Sequence, residues 1–104
     1  EKIVSYIGLA MKAGRVSYGE FAVEKAVKEG KAQMVMIAED ASGNTKKKFN
    51  DMCRYYGVQS VEFLKKEELG HIIGREMRAC ISVNDEGFAR AIRKAMDSTL
   101  DQYN

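Results

Sequence analysis

The stretch GKAQMVMIAED, residues 30–40, decides the fold. Gly30 closes the helical pattern before it. Met34, Val35, Met36, Ile37 and Ala38 then form an unbroken apolar run. Glu39 and Asp40 end the run, and ASGNTKKK restarts a helix. A strand with no polar alternation is buried on both faces, which requires helices above and below its sheet. In such sheets ligands bind beyond the carboxyl ends of strands. The run therefore also marks the edge of the molecule to search for function.

Working outward, apolar residues recur at Ile3, Ile7, Ala10 and Met11, which suits an amphipathic helix over 2–13 stopped by Gly14. RVSYG (15–19) fits either a strand or a turn. Residues 20–29 place Val23, Ala26 and Val27 on one face. After the run, Asp40 or Ser42 can cap a helix reaching Tyr56, with Phe49, Met52, Cys53 and Tyr56 on its apolar face. VQSVEF (58–63) alternates as a strand does. A short helix follows over 66–73, with Leu69, Ile72 and Ile73 inward, and Gly74 ends it. REMR (75–78) is a polar loop and ACISV (79–83) another apolar strand. Asn84 or Asp85 caps a last helix carrying Phe88, Ile92, Ala95 and Leu100. Alternation of this kind predicts an α/β fold, a three-layer α/β/α sandwich. Residues 1–104 read as a single domain without linker, repeat or low-complexity tract.

Composition narrows the class. The apolar runs are far shorter than a bilayer span, and no signal-peptide pattern opens the chain, so a cytoplasmic protein is expected. Cys53 and Cys80 lack a CxxC partner, and the one histidine leaves no metal cluster. Buried reduced thiols are the expectation, with no cofactor and no metal. The net charge of +2 is too small to demand a polyanion. Its distribution is uneven: residues 1–60 hold ten Lys/Arg against seven Asp/Glu, residues 61–104 seven against eight. Lysines and arginines bunch at Lys12/Arg15, Lys25/Lys28/Lys31, Lys46-Lys47-Lys48 and Arg75/Arg78. Gathered on one face they would contact phosphates; scattered, they are solvated helix surface.

An enzyme should show a nucleophile, base or metal constellation. His71 sits among apolar residues in LGHIIG and packs or faces solvent. Glu39-Asp40 diverge as neighbours in an extended chain and read as a strand exit and a helix cap. ASGNTKK lacks P-loop spacing. No enzyme is expected. A nucleic-acid binder fits better. SYGE (17–20) opens a helix on a glycine turn whose free N–H groups can hold phosphate, with Lys25 and Lys28 further along; a plain turn glycine explains Gly19 locally as well. In Gly74-Arg75-Glu76-Met77-Arg78, a methionine between two arginines can stack on an unpaired base while arginine holds the backbone. A solvated loop is the bland reading, and sequence alone does not place this loop beside Gly19. Lys46-Lys47-Lys48 spans most of a helix circumference and has a supporting role at most.

Taken together, IGLAMKAGRVSYGE, KAVKEGKAQMVMIAEDAS, EELGHIIG and ISVNDEGFARAI resemble the kink-turn RNA-binding ribosomal proteins, the superfamily of large-subunit proteins seven-Ae and thirty-e. NTKKKFNDMCRYYGV and VNDEGFARAI look like its small bacterial members. The resemblance covers nearly the whole chain. It implies a four-stranded mixed sheet and binding, without catalysis, of a sharply bent internal loop in structured RNA, ribosomal RNA included. The partner is thus RNA, no membrane is involved, and a monomer is expected. The family's glycine-led turn matches Gly19, Glu20, Phe21 and Ala22, with Lys25 at its lysine position and Lys28 one turn on. The loop that covers unpaired bases matches Gly74, Arg75, Glu76, Met77 and Arg78. Two departures stand out. Archaeal-type members carry Asn-Glu, which read guanine edges, where this chain has Phe21-Ala22, and Glu29 replaces a family arginine. Weaker binding, a different loop, or heavier reliance on backbone and lysine contacts follow as alternatives. A protein-interaction module that kept the fold but lost RNA is the reading from a different class.

Overall fold

The structure, a computed structural model, describes residues 1–103, with side chains through residue 98. Its elements alternate in the predicted order: α1 (Lys2–Lys12), β1 (Val16–Tyr18), α2 (Glu20–Lys28), β2 (Met34–Ile37), α3 (Gly43–Tyr56), β3 (Gln59–Glu62), α4 (Lys66–Ile72), β4 (Cys80–Val83) and α5 (Glu86–Tyr103). RVSYG resolves into a strand. Leu100 lies outside the described side chains.

The sheet runs β1-β4-β2-β3. β4 is antiparallel to both β1 and β2, while β3 joins β2 in parallel. The sheet is therefore mixed. Both central strands are buried at every position, which is why neither shows polar alternation. Helices α2 and α3 cover one face, and α1, α4 and α5 the other. Phe49, Ile7, Met34, Met36, Ile37, Leu69 and Ile81 are the large side chains at the centre of the core.

Polar side chains settle the caps. Ser42 accepts from the Thr45 amide at 3.1 Å and caps α3. Asp40, the other candidate there, caps α4 instead: its carboxylate accepts from the Lys66 amide at 2.8 Å. That hydrogen bond holds the Asp40 carboxyl below its ordinary range. Asp85 caps α5, accepting from the Phe88 amide at 3.0 Å. Asn84 is free for another task. It accepts from the Ser82 hydroxyl and donates to Ser17, each at 2.9 Å, and so satisfies the one buried polar side chain of β4.

Two expectations fail in detail. Tyr56 has helical spacing with Phe49 and Cys53 but, as the last residue of α3 before the Gly57 cap, is 44% exposed. It stacks edge-on against Tyr55 at 4.9 Å between ring centres. Ile72 is only partly covered. Between β3 and α4 the chain turns through Leu64 at φ 65°, where leucine is strained by about 1 kcal/mol. Its carbonyl accepts from the Glu39 amide at 2.8 Å, and its side chain packs on the core, which accounts for a leucine there.

Cys53 and Cys80 are buried and free, as expected. Burial pushes the Cys53 thiol up to about 11 and that of Cys80 up to about 12. Since the thiolate is the nucleophile, both should resist a thiol reagent at neutral pH and react once the chain is unfolded. Prompt labelling of the native protein, read by mass spectrometry, would contradict this burial.

Candidate nucleic-acid interface

The pairings fix what meets at the functional edge. β1, β2 and β3 all point one way and β4 the other. The exits of the first three strands thus lie beside the start of β4. Gly19 leaves β1 there, Glu39 and Asp40 leave β2, and residues 74–79 lead into β4. The exit of β2 lies on this same edge, where Asp40 serves as a helix cap.

Gly19 sits at φ 88°, ψ 154°, a conformation that L side chains rarely adopt. Its amide donates to the Cys80 carbonyl at 3.3 Å, so the start of α2 is bonded to the start of β4. Val23, Ala26 and Val27 bury the inner face of α2. The helical period then sends Phe21 and Lys25, four residues apart, outward together.

The second segment closes on the first. Leaving α4, the chain reverses at Gly74, φ 69°. The Arg75 amide donates to Gly70 at 2.8 Å and the Arg78 amide to Lys66 at 3.2 Å. The loop backbone lies so near α4 that a Cβ on Gly70 would meet the Glu76 carbonyl oxygen at 2.3 Å. Tyr18 then joins loop to strand. Its hydroxyl accepts from Arg75 Nε at 2.9 Å, and the guanidinium carbons of Arg75 and Arg78 stand 5.3 and 5.5 Å from its ring centre. Arg78 also donates to the Glu76 and Met77 carbonyls at 3.2 and 3.0 Å. These contacts hold both cations in place, with no acidic partner among the described residues.

A shallow cleft of about 520 Å³ results, with Tyr18, Gly19, Glu20 and Phe21 on one side and Met77 and Arg78 on the other. Phe21 is 85% exposed and Met77 61%. The two segments singled out in the sequence are therefore neighbours, which the sequence left undecided. Lys25 is exposed beside Phe21. Tyr18 was missed. An aromatic residue ending a strand just before a glycine turn was a local cue, but its partner Arg75 is 57 residues away.

Lys28 has an acidic partner. It pairs with Glu24 at 2.8 Å, and Glu24 also holds Lys48 at 3.1 Å. The hydrogen bond from Lys28, then that from Lys48, lowers the Glu24 carboxyl below its ordinary range. Glu24 thus interrupts the basic patch before it reaches Lys28. Lys46 pairs with Glu62 at 3.3 Å and Lys47 with Asp51 at 2.7 Å, so each lysine of the triple run has an acidic partner.

The structure is thus a three-layer α/β/α domain whose strand exits present a cleft lined by Arg78 and by the exposed apolar side chains Phe21 and Met77. The chain belongs to the ribosomal protein L7Ae/L30e/S12e/Gadd45 family, whose model matches residues 1–93. It is 40% identical over 91 residues to the RNA-binding protein YlxQ of Bacillus subtilis, covering 88% of this chain and 91% of that one. It is 26% identical over 103 residues to the large ribosomal subunit protein eL8 of Thermoplasma volcanium, covering 98% and 85%. A solved structure of a protein of unknown function from Bacillus halodurans C superimposes with a TM-score of 0.88 at 36% identity, covering 92% of this chain and 97% of that one. Among the described residues, no helix is long and apolar enough to cross a membrane.

Proposed function

We propose that this protein binds structured RNA at a sharply bent, kink-turn-like internal loop and serves translation or the ribosome without catalysing a reaction. The observation that carries the reading is Tyr18, which holds two arginines at the mouth of the α2 turn. Gly19, Glu20 and Phe21 meet one strand of the bent stem, and Lys25 reaches its phosphates. Gly74, Arg75, Glu76, Met77 and Arg78 cover the splayed nucleotides. Lys28 joins only where phosphate displaces Glu24. Phosphate contacts supply much of the affinity, and the shape of the bend supplies selectivity. The similarity to YlxQ, named as RNA-binding, and to a ribosomal protein supports this reading. We place it as a monomer in the cytoplasm.

The test is titration of a kink-turn RNA and a straight duplex at two salt concentrations. The kink-turn should bind more tightly. Lys25→Ala with Arg78→Ala should lower that affinity by about tenfold and flatten the salt dependence by about one to two phosphates. Equal affinity for both RNAs would remove the bend from the reading. An unchanged titration of the double variant would remove these two residues. The exposed Phe21 alone favours a protein partner. The two arginines and Lys25 around it weigh for RNA.

A further inference from the structure

Glu24 ties α2 to α3 at the surface. Its Oε2 accepts from Lys28, one turn further along α2, at 2.8 Å, and its Oε1 pairs with Lys48 of α3 at 3.1 Å. Each carboxylate oxygen is therefore taken by one lysine. Both lysine side chains are about half exposed, so phosphate can reach them, and Glu24 is the group it must displace. Lys25 stands on the same outer face of α2 and has no acidic partner among the described residues. Two shapes of RNA meet this arrangement differently. An RNA bent into the cleft is held by Arg75, Arg78 and Lys25, none of which pairs with Glu24. A straight duplex offers the cleft no splayed nucleotide, and its phosphates bind in proportion to the cations they neutralise. Laid along α2 and α3, it finds Lys28 and Lys48 already occupied.

We infer that Glu24 is a specificity-determining residue: by holding Lys28 and Lys48 it withholds two phosphate contacts from straight RNA, so that tight binding requires a filled cleft. The inference rests on the RNA reading above. Discrimination between two ligands comes from weakening the wrong one as well as from strengthening the right one. A carboxylate set among phosphate-binding cations does the former, because it repels the phosphate that would take its place. Glutamine keeps the length and shape of the side chain but not its charge, so both ammonium groups become available to phosphate. Pairs between exposed groups add little to stability, so the fold does not depend on this one. A merely structural tie between the helices has the opposite signature, since losing it would lower affinity or leave it alone, never raise it.

The experiment titrates the whole chain, wild type and Glu24→Gln, against a kink-turn RNA and a straight duplex over a series of salt concentrations. Glu24→Gln should bind the duplex on the order of tenfold more tightly at low salt, with a salt dependence steeper by about two phosphates. Its affinity for the kink-turn should change less, so its preference for the bend should shrink. Placed on a Lys28→Ala, Lys48→Ala background, Glu24→Gln should bring neither gain, because no lysine is left to release. Circular dichroism melts of wild type and Glu24→Gln should nearly coincide. If the wild type prefers the kink-turn and Glu24→Gln keeps the same duplex affinity and salt slope, the role of Glu24 is overturned while the RNA reading stands. The same follows if the full gain persists without the two lysines, since Glu24 would then act by its own charge alone. If the wild type binds neither RNA, the RNA reading falls and the role of Glu24 with it.

Discussion

Gly70→Ala is expected to abolish tight RNA binding while leaving the domain folded. The added Cβ would lie 2.3 Å from the Glu76 carbonyl oxygen, 2.6 Å from its carbon and 2.9 Å from the Met77 nitrogen. All three are backbone atoms, so no rotamer relieves the overlap. α4 is held from within by the buried Leu69 and at its start by Asp40. The loop must therefore yield. Moving it draws Arg75 from the Tyr18 hydroxyl and Arg78 from its carbonyls, and Met77 leaves the cleft. Overpacking of this kind costs about 1–3 kcal/mol of stability, a tolerable loss for a domain of this size. Binding should fall by more than tenfold, because Met77 and both arginines leave their positions together. Backbone NMR should show shifts concentrated at residues 74–79, and a gel-shift titration the lost affinity. Unchanged loop resonances with unchanged affinity would sink the claim that Gly70 seats the loop.

Phe49→Ala should do the reverse. Phe49 is fully buried on α3, the largest of the fully buried side chains. Truncation to alanine removes its transfer energy and leaves a cavity, a loss of about 3–5 kcal/mol. For a chain of this length that corresponds to a fall in melting temperature of about 12 °C or more. Phe49 is buried in the core on α3 and is not among the residues lining the cleft, so RNA affinity measured well below the melting point should hardly change. Calorimetry paired with the same titration separates the two variants. A Phe49→Ala protein that melts like the wild type would contradict the packing.

What could be read in advance divides along physical lines. The run at 34–38, the helix faces and the glycine stops are local patterns, and each places an element because burial imposes its period on neighbouring residues. The caps were half legible. Ser42 and Asp85 act on amides three residues ahead, within reach of a sequence pattern, whereas Asp40 acts on Lys66 across 26 residues. The expectation that Tyr56 would be inward failed because spacing gives its angle around the helix but not how well the helix's last residue is covered. At the interface, Phe21, Met77 and the two arginines could be named from the chain. Their meeting could not, because it depends on strand order, on the absence of a Cβ at Gly70 and on Tyr18 reaching Arg75. The lysines misled in the opposite sense: composition counts charges but not their partners.

That last point has a consequence for how the molecule approaches a polyanion. Glu24 grips Lys28 and Lys48 as a phosphate would, so these lysines carry an anion of their own before any ligand arrives. This face therefore carries less net positive charge than its lysine count suggests. Long-range attraction falls instead to the arginines at Tyr18 and to Lys25, on the side where the cleft opens. On the RNA reading proposed above, a polyanion would therefore meet Arg75, Arg78 and Lys25 ahead of the acid-paired lysines.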